Sequence, residues 1–238
     1  MRFLLNAEFW ARWLGIVIID LSLAGDNALV IAMAALTLPP QQRLYGLIGG
    51  TLGAVLLRIA LIAVITQILR IPFLQAIGGL VLIWIALKLL RQDTTEGTEH
   101  KAREVTTIWH AMGIIIVADL IMSLDNVLAV AATAHGDLGL VLFGIGLSIP
   151  IVICGSTLLA RLMDRFRWIV WVGGGVLGWV AGELVVDDTI IRGWIGSWEA
   201  LFHWALPSLL ATAMTIWGWV LARRQAEQAA LERVNFTR

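Results

Sequence analysis

The sequence predicts an all-α polytopic membrane protein: seven transmembrane helices, built as an inverted 3+3 repeat plus one extra C-terminal helix. Three observations carry that expectation. Of the 238 residues, 59% are hydrophobic and only 14% are charged, at a mean hydropathy of +0.86, whereas a soluble domain carries about 25% charged residues. Apolar runs near the ~20 residues that cross a bilayer core recur at 9–34, 44–69, 72–90, 108–134, 138–160, 168–186 and 205–222. The first three runs are also echoed by the next three.

Taken in order, the first run carries Asp20, Asp26 and Asn27 and stops at Pro39-Pro40, followed by Gln41-Gln42. Residues 1–6 lack the polar flank and small-residue cleavage site of a signal peptide, so this run is expected to remain as a helix. The second run holds Arg58 midway and ends at Arg70-Ile71-Pro72, a breaker before the third run. These three make a first repeat, 9–90. The hydrophilic stretch 91–107, RQDTTEGTEHKAREVTT, reads as a solvated linker.

The fourth run repeats the acidic pattern with Asp119, Asp125 and Asn126, and His135-Gly136-Asp137 divides it from the fifth. With the sixth run these complete a second repeat, 108–186. Residues 187–204 include Trp194, Trp198 and Trp204, aromatics suited to a connection lying at the headgroups. The last unit, 205–238, is a seventh helix with a tail from Arg223 that reads as a frayed amphipathic helix.

Basic residues set the orientation. Seven spans place Arg2, Arg12, Arg70 and Arg192 on one side. The other side receives Arg43, Lys88, Arg91, Lys101, Arg103, Arg161, Arg165, Arg167, Arg223, Arg224, Arg233 and Arg238. That richer side is expected to be cytoplasmic, which puts the linker and the C-terminus inside and the N-terminus outside.

The repeat is legible residue by residue. An offset of 99 aligns Trp10 with Trp109 and both sets of Asp, Asp and Asn. An offset of 95 aligns Ile77-Gly78-Gly79 with Val172-Gly173-Gly174, and Trp84-Ile85-Ala86 with Trp179-Val180-Ala181. Three helices per copy is an odd number, so the copies insert with opposite orientation, a common transporter plan with substrate near the pseudo-two-fold axis. Gly46/Gly50, Gly49/Gly53 and Gly174/Gly178/Gly182 have the spacing that lets helix backbones approach in lipid, and are read as plain packing.

Composition also narrows the function. A net charge of zero with no basic run gives no nucleic-acid partner, and the single Cys154 excludes an intramolecular disulfide. No nucleotide-binding motif is present, no organic cofactor is expected, and the chain is read as a non-enzyme. An intramembrane aspartyl protease needs a Gly-x-Gly-Asp context with one Asp on each of two helices. Here the context is Leu23-Ala24-Gly25-Asp26, with two Asp on each helix. That reading is the weakest of three.

A carboxylate at the bilayer midplane costs at least ~2.5–3.5 kcal/mol, so four of them need a task. Their oxygens, with those of Asn27 and Asn126, are hard ligands suited to Mg²⁺, Ca²⁺ or Mn²⁺. On a straight helix Asp20 and Asn27 share a face while Asp26 lies about 120° away from Asp20. Gly25 is therefore a candidate break, with Ser22 and Ser123 as supporting hydroxyls. Met33 and Met122 flank the motifs, as packing residues first and thioether ligands second. Arg58 is expected to pair with one of the aspartates. Lys88 and Glu183 occupy equivalent repeat positions near opposite membrane faces, so no direct pair is expected. Lys88 is read as snorkelling to the cytoplasmic surface, and Glu183 as a gate, a proton-transfer group or a helix-end carboxylate. Protonated carboxyls holding helices together are the alternative to a cation site.

On these residues the chain resembles the TerC family of integral membrane proteins, in its seven-helix YjbE-type branch. The carrying segments are Gly25-Asp26-Asn27-Ala28-Leu29-Val30-Ile31-Ala32 and Ser123-Leu124-Asp125-Asn126-Val127-Leu128-Ala129-Val130, with the Gly-Gly pairs. The resemblance implies a multi-pass protein of the bacterial cytoplasmic membrane with a role in metal homeostasis, chiefly Mn²⁺ efflux. An acidic cavity does not suit the tellurium oxyanion in the family's name. The expected function is thus a secondary transporter exporting a divalent cation, with protons as a candidate coupling ion. The alternative is a non-transporting metal-binding membrane partner. Homodimerisation is left open.

Overall fold

The computed structural model describes residues 13–14, 25–68, 71–93, 107–134 and 138–236, and every element among them is helical. The order is α1 (Gly25–Leu36), α2 (Pro40–Ile68), α3 (Leu74–Asp93), α4 (Ile108–Ala134), α5 (Leu138–Arg165), α6 (Trp168–Asp187), α7 (Thr189–Ile195), a 3-10 turn (Gly196–Trp198) and α8 (Glu199–Phe236). Among the described residues, four segments are long and apolar enough to cross a membrane: Pro40–Leu61, Leu74–Arg91, Trp168–Asp187 and Thr189–Arg224. Large apolar side chains such as Leu56, Leu80, Leu158 and Leu209 face outward, as a surface solvated by lipid tails requires. This is an integral membrane protein.

Local chemistry explains where the helices change. The end of α1 is closed by Thr37, whose N–H and Oγ1 both donate to Ala34 O. Pro40 does not merely end the first run; it opens α2, a position where the missing N–H costs nothing and φ is already helical. Between α2 and α3 the chain turns through Phe73 at φ 59°. The Trp-rich connection, expected over 187–204, resolves into α7, the 3-10 turn and the first turn of α8. The tail expected to fray continues α8 as helix to Phe236.

Glycines fix how the helices cross. A methyl at Gly79 would lie 2.6 Å from the Ala181 carbonyl, and one at Gly174 would lie 2.7 Å from the Leu90 side chain. Those two contacts make α3 and α6 antiparallel. The neighbouring glycines reach the other repeat's acidic helix: Gly78 faces Ile121 of α4, and Gly173 faces Leu29 and Met33 of α1. Equivalent glycines thus make equivalent kinds of contact, each pair touching its sister helix and the opposite acidic helix.

Along α2, Gly49, Gly50 and Gly53 face Met112, Ile115 and Ile116, so α2 and α4 run parallel. Gly178 and Gly182 meet the α8 backbone at Leu210 and Pro207, but the third member of that stripe is Gly175. Gly174 turns toward α3 instead, because one residue rotates a helix by about 100°. The core between these seams gathers Val30 and Ile31 of α1, Leu82 and Ile85 of α3, Ile115 of α4 and Leu177 of α6.

Candidate cation site

The parallel α2–α4 seam brings Arg58 to Asp119. Arg58 is 7% exposed and Asp119 is 6% exposed. The guanidinium Nη2 donates to Asp119 Oδ1 at 2.7 Å and Nε donates to Ser123 Oγ at 3.1 Å. Ser123, fully buried and one turn along α4 from Asp119, donates to Asp119 Oδ2 at 3.2 Å. The arrangement is a closed triangle. Two charges survive burial only when opposite charge and hydrogen bonds replace water, and here both carboxylate oxygens are engaged.

The first acidic helix is different. Asn27 is 3% exposed, and among the described residues neither its Oδ1 nor its Nδ2 has a hydrogen-bond partner. A buried amide left unpaired costs about 1–3 kcal/mol by mutational measures. Asp26, one residue earlier and so about 100° around the helix, is exposed. A carboxylate on an apolar helix needs water, a proton or a cation beside it.

The other predicted site residues divide as follows. Asp20 and Ser22 lie outside the described residues, and Asp125 and Asn126 are described only as backbone of α4. Among the described residues, no three His, Cys, Asp or Glu side chains gather as a metal would need. Met33 and Met122 are buried in the apolar core. Lys88 contacts His110 Nε2 and lies 5.1 Å over the Trp84 ring, a contact across the ends of α3 and α4. Glu183 is half-buried on α6 and makes no ion pair among the described residues. Leu90 lies beside Gly174 and Gly79 beside Ala181, so the antiparallel register holds Lys88 and Glu183 apart.

The model of the integral membrane protein TerC family matches residues 5–226. The chain belongs to the TerC family. It is 43% identical over 181 residues to the membrane protein YjbE of Bacillus subtilis (strain 168), covering 76% of this chain and 82% of that one. The membrane protein YkoY of the same organism is 26% identical over 258 residues, covering 95% and 78%. YegH of Escherichia coli (strain K12) is 26% identical over 191 residues, 71% of this chain but 35% of that longer protein. No solved structure matches. In this TerC-family chain the matched span includes both acidic motifs, the Arg58 triangle and most of α8.

Two residues that the sequence reading passed over matter in the structure. Asp188, 2% exposed, accepts from Ile190 N and Ile191 N of α7 through Oδ1, and from Ala76 N of α3 through Oδ2. One carboxylate therefore caps two helices. Its signal was available, since Asp followed by Thr at the end of an apolar run marks a helix start. The other is Thr51, buried on α2 with a hydroxyl that has no partner among the described residues; a lone Thr in an apolar helix gives no such signal.

Proposed function

We propose that this protein is a secondary transporter that exports a hard divalent cation, Mn²⁺ foremost with Ca²⁺ and Mg²⁺ as alternatives, across the bacterial cytoplasmic membrane. The single observation that carries the reading is Asn27, whose amide is buried beside an exposed membrane carboxylate and left without a partner. A hard oxygen donor kept dry and unpaired is suited to a cation that visits and leaves. The residues support a hard divalent cation; the choice of Mn²⁺ comes from the family resemblance. Seven spans with an outside N-terminus and an inverted repeat complete the reading, supported by the antiparallel α3–α6 pair and the reciprocal glycine contacts.

In this reading Asp26 and Asn27 hold the cation with Asp125 and Asn126, and Asp20 and Asp119 are second stations along the path. Arg58 lies against Asp119 and offsets its charge, so this pair lowers the negative charge that the acidic helices present. The protein performs no covalent chemistry, needs no organic cofactor, and works with the bilayer and the cation as partners. Protons are the coupling ion that the same carboxylates can bind.

The test is Mn²⁺ flux in proteoliposomes with an imposed pH gradient. Asp26→Asn and Asp125→Asn are each expected to abolish flux while the protein remains folded. Full transport by the double variant overturns the reading. Wild-type protein that binds Mn²⁺ without moving it would instead be a metal-holding membrane partner.

A further inference from the structure

Hydroxyl groups on these helices follow one habit. Thr37, Ser156, Thr157, Thr212 and Thr215 each donate to a carbonyl three or four residues back on the same helix, at 2.7–2.9 Å. That back-bond is a common way for Ser and Thr to satisfy their hydroxyl within a helix. Ser123 forgoes it for Asp119. Thr51 is 3% exposed and forgoes it with no other partner among the described residues. A buried hydroxyl that leaves its own carbonyl without finding another partner is held at a loss unless something else comes to it.

Its place on the fold says what comes. Leu47, Thr51, Ala54, Arg58 and Leu61 are the buried stripe of α2, spaced at three and four residues, so Thr51 faces the same interior as Arg58, about 10 Å nearer the α1–α2 turn. Leu47, one turn from Thr51, packs in the same core as Val30 and Ile31 of α1. Helices joined by a turn this short lie antiparallel. Asn27 is nine residues before Leu36 and Thr51 is eleven after Pro40, which puts them about 14 and 17 Å from the turn at 1.5 Å per residue. Two buried polar side chains without partners therefore stand at matching depth on adjoining helices.

We propose that Thr51 is a further cation-binding residue, its Oγ1 serving as a neutral oxygen ligand for the divalent cation at the level of Asn27. This rests on the transporter reading and extends it. Neutral ligands lower the charge count at the cation and so weaken its hold, which suits a station that the ion must leave. It also explains why α2 carries a hydroxyl in an otherwise apolar turn.

The experiment is Mn²⁺ titration of the purified full-length chain by calorimetry, paired with thermal unfolding with and without Mn²⁺. Thr51→Val, nearly isosteric, is expected to weaken Mn²⁺ affinity by at least about tenfold, since even partners one shell further out are worth that much. Without metal it should unfold at the same temperature as wild type or higher, since an unpaired hydroxyl has gone. Thr51→Ser should restore affinity, and Thr51→Ala decides in the same way should the valine variant fail to fold. Wild-type affinity in Thr51→Val, with wild type itself binding Mn²⁺, overturns this assignment alone. A wild type that binds no divalent cation overturns the transporter reading and the assignment together.

Discussion

Arg58 and Thr51 stand two turns apart on one buried stripe of α2, yet the first is bonded to Asp119 and Ser123 and the second has no partner among the described residues. The same contrast divides the acidic helices. On α4, Asp119 has both oxygens engaged; on α1, Asn27 is buried with neither amide atom satisfied among the described residues. These two polar groups, from different positions of the repeated motif, thus stand in different environments. In α5, the counterpart of α2, the only basic residues are Arg161 and Arg165 near its end, so no equivalent of Arg58 comes from that helix. Arg58 is a fixed internal cation between α2 and α4, while Thr51 and Asn27 are buried polar groups that a moving cation can use.

The contrast predicts opposite signs. Arg58→Met strands a buried Asp119 and is expected to destabilise the protein by about 3–5 kcal/mol, read by denaturant unfolding. Adding Asp119→Leu should recover most of the loss, because replacing both partners removes the stranded charge. A stable Arg58→Met single variant would break the comparison at its firmest point. Next in size is the seam that sets the triangle. A methyl at Gly50 would come within 2.7 Å of the Ile115 side chain, so Gly50→Val should cost about 1–3 kcal/mol by overpacking. Smallest is Ser123→Ala, which removes one hydrogen bond to each charged partner and leaves the pair itself; about 1–2 kcal/mol is expected, by the same measurement.

How much of this was legible in the sequence follows from which forces act locally. The apolar runs and their Pro and Gly breaks announced the helices, and α4 runs over 108–134 as read. The pairing of Arg58 with an aspartate was also legible, since a guanidinium cannot stay alone in mid-membrane. Its choice of Asp119 was not, because that depends on α2 and α4 running parallel with their glycines in contact. Asp188 hid because half of its task, capping α3 at Ala76, is long-range. Thr51 hid because what distinguishes it is a bond it does not make.

The central claim is that the buried Asn27 amide receives the cation, and Asn27→Leu tests it most directly. Mn²⁺ binding and unfolding are measured on the same purified variant. The account predicts that metal-free Asn27→Leu is more stable than wild type by about 1 kcal/mol, because a buried unpaired amide has been replaced, while Mn²⁺ no longer binds or stabilises it. Wild-type Mn²⁺ affinity in this variant, or a metal-free destabilisation as large as that of Arg58→Met, would contradict the account.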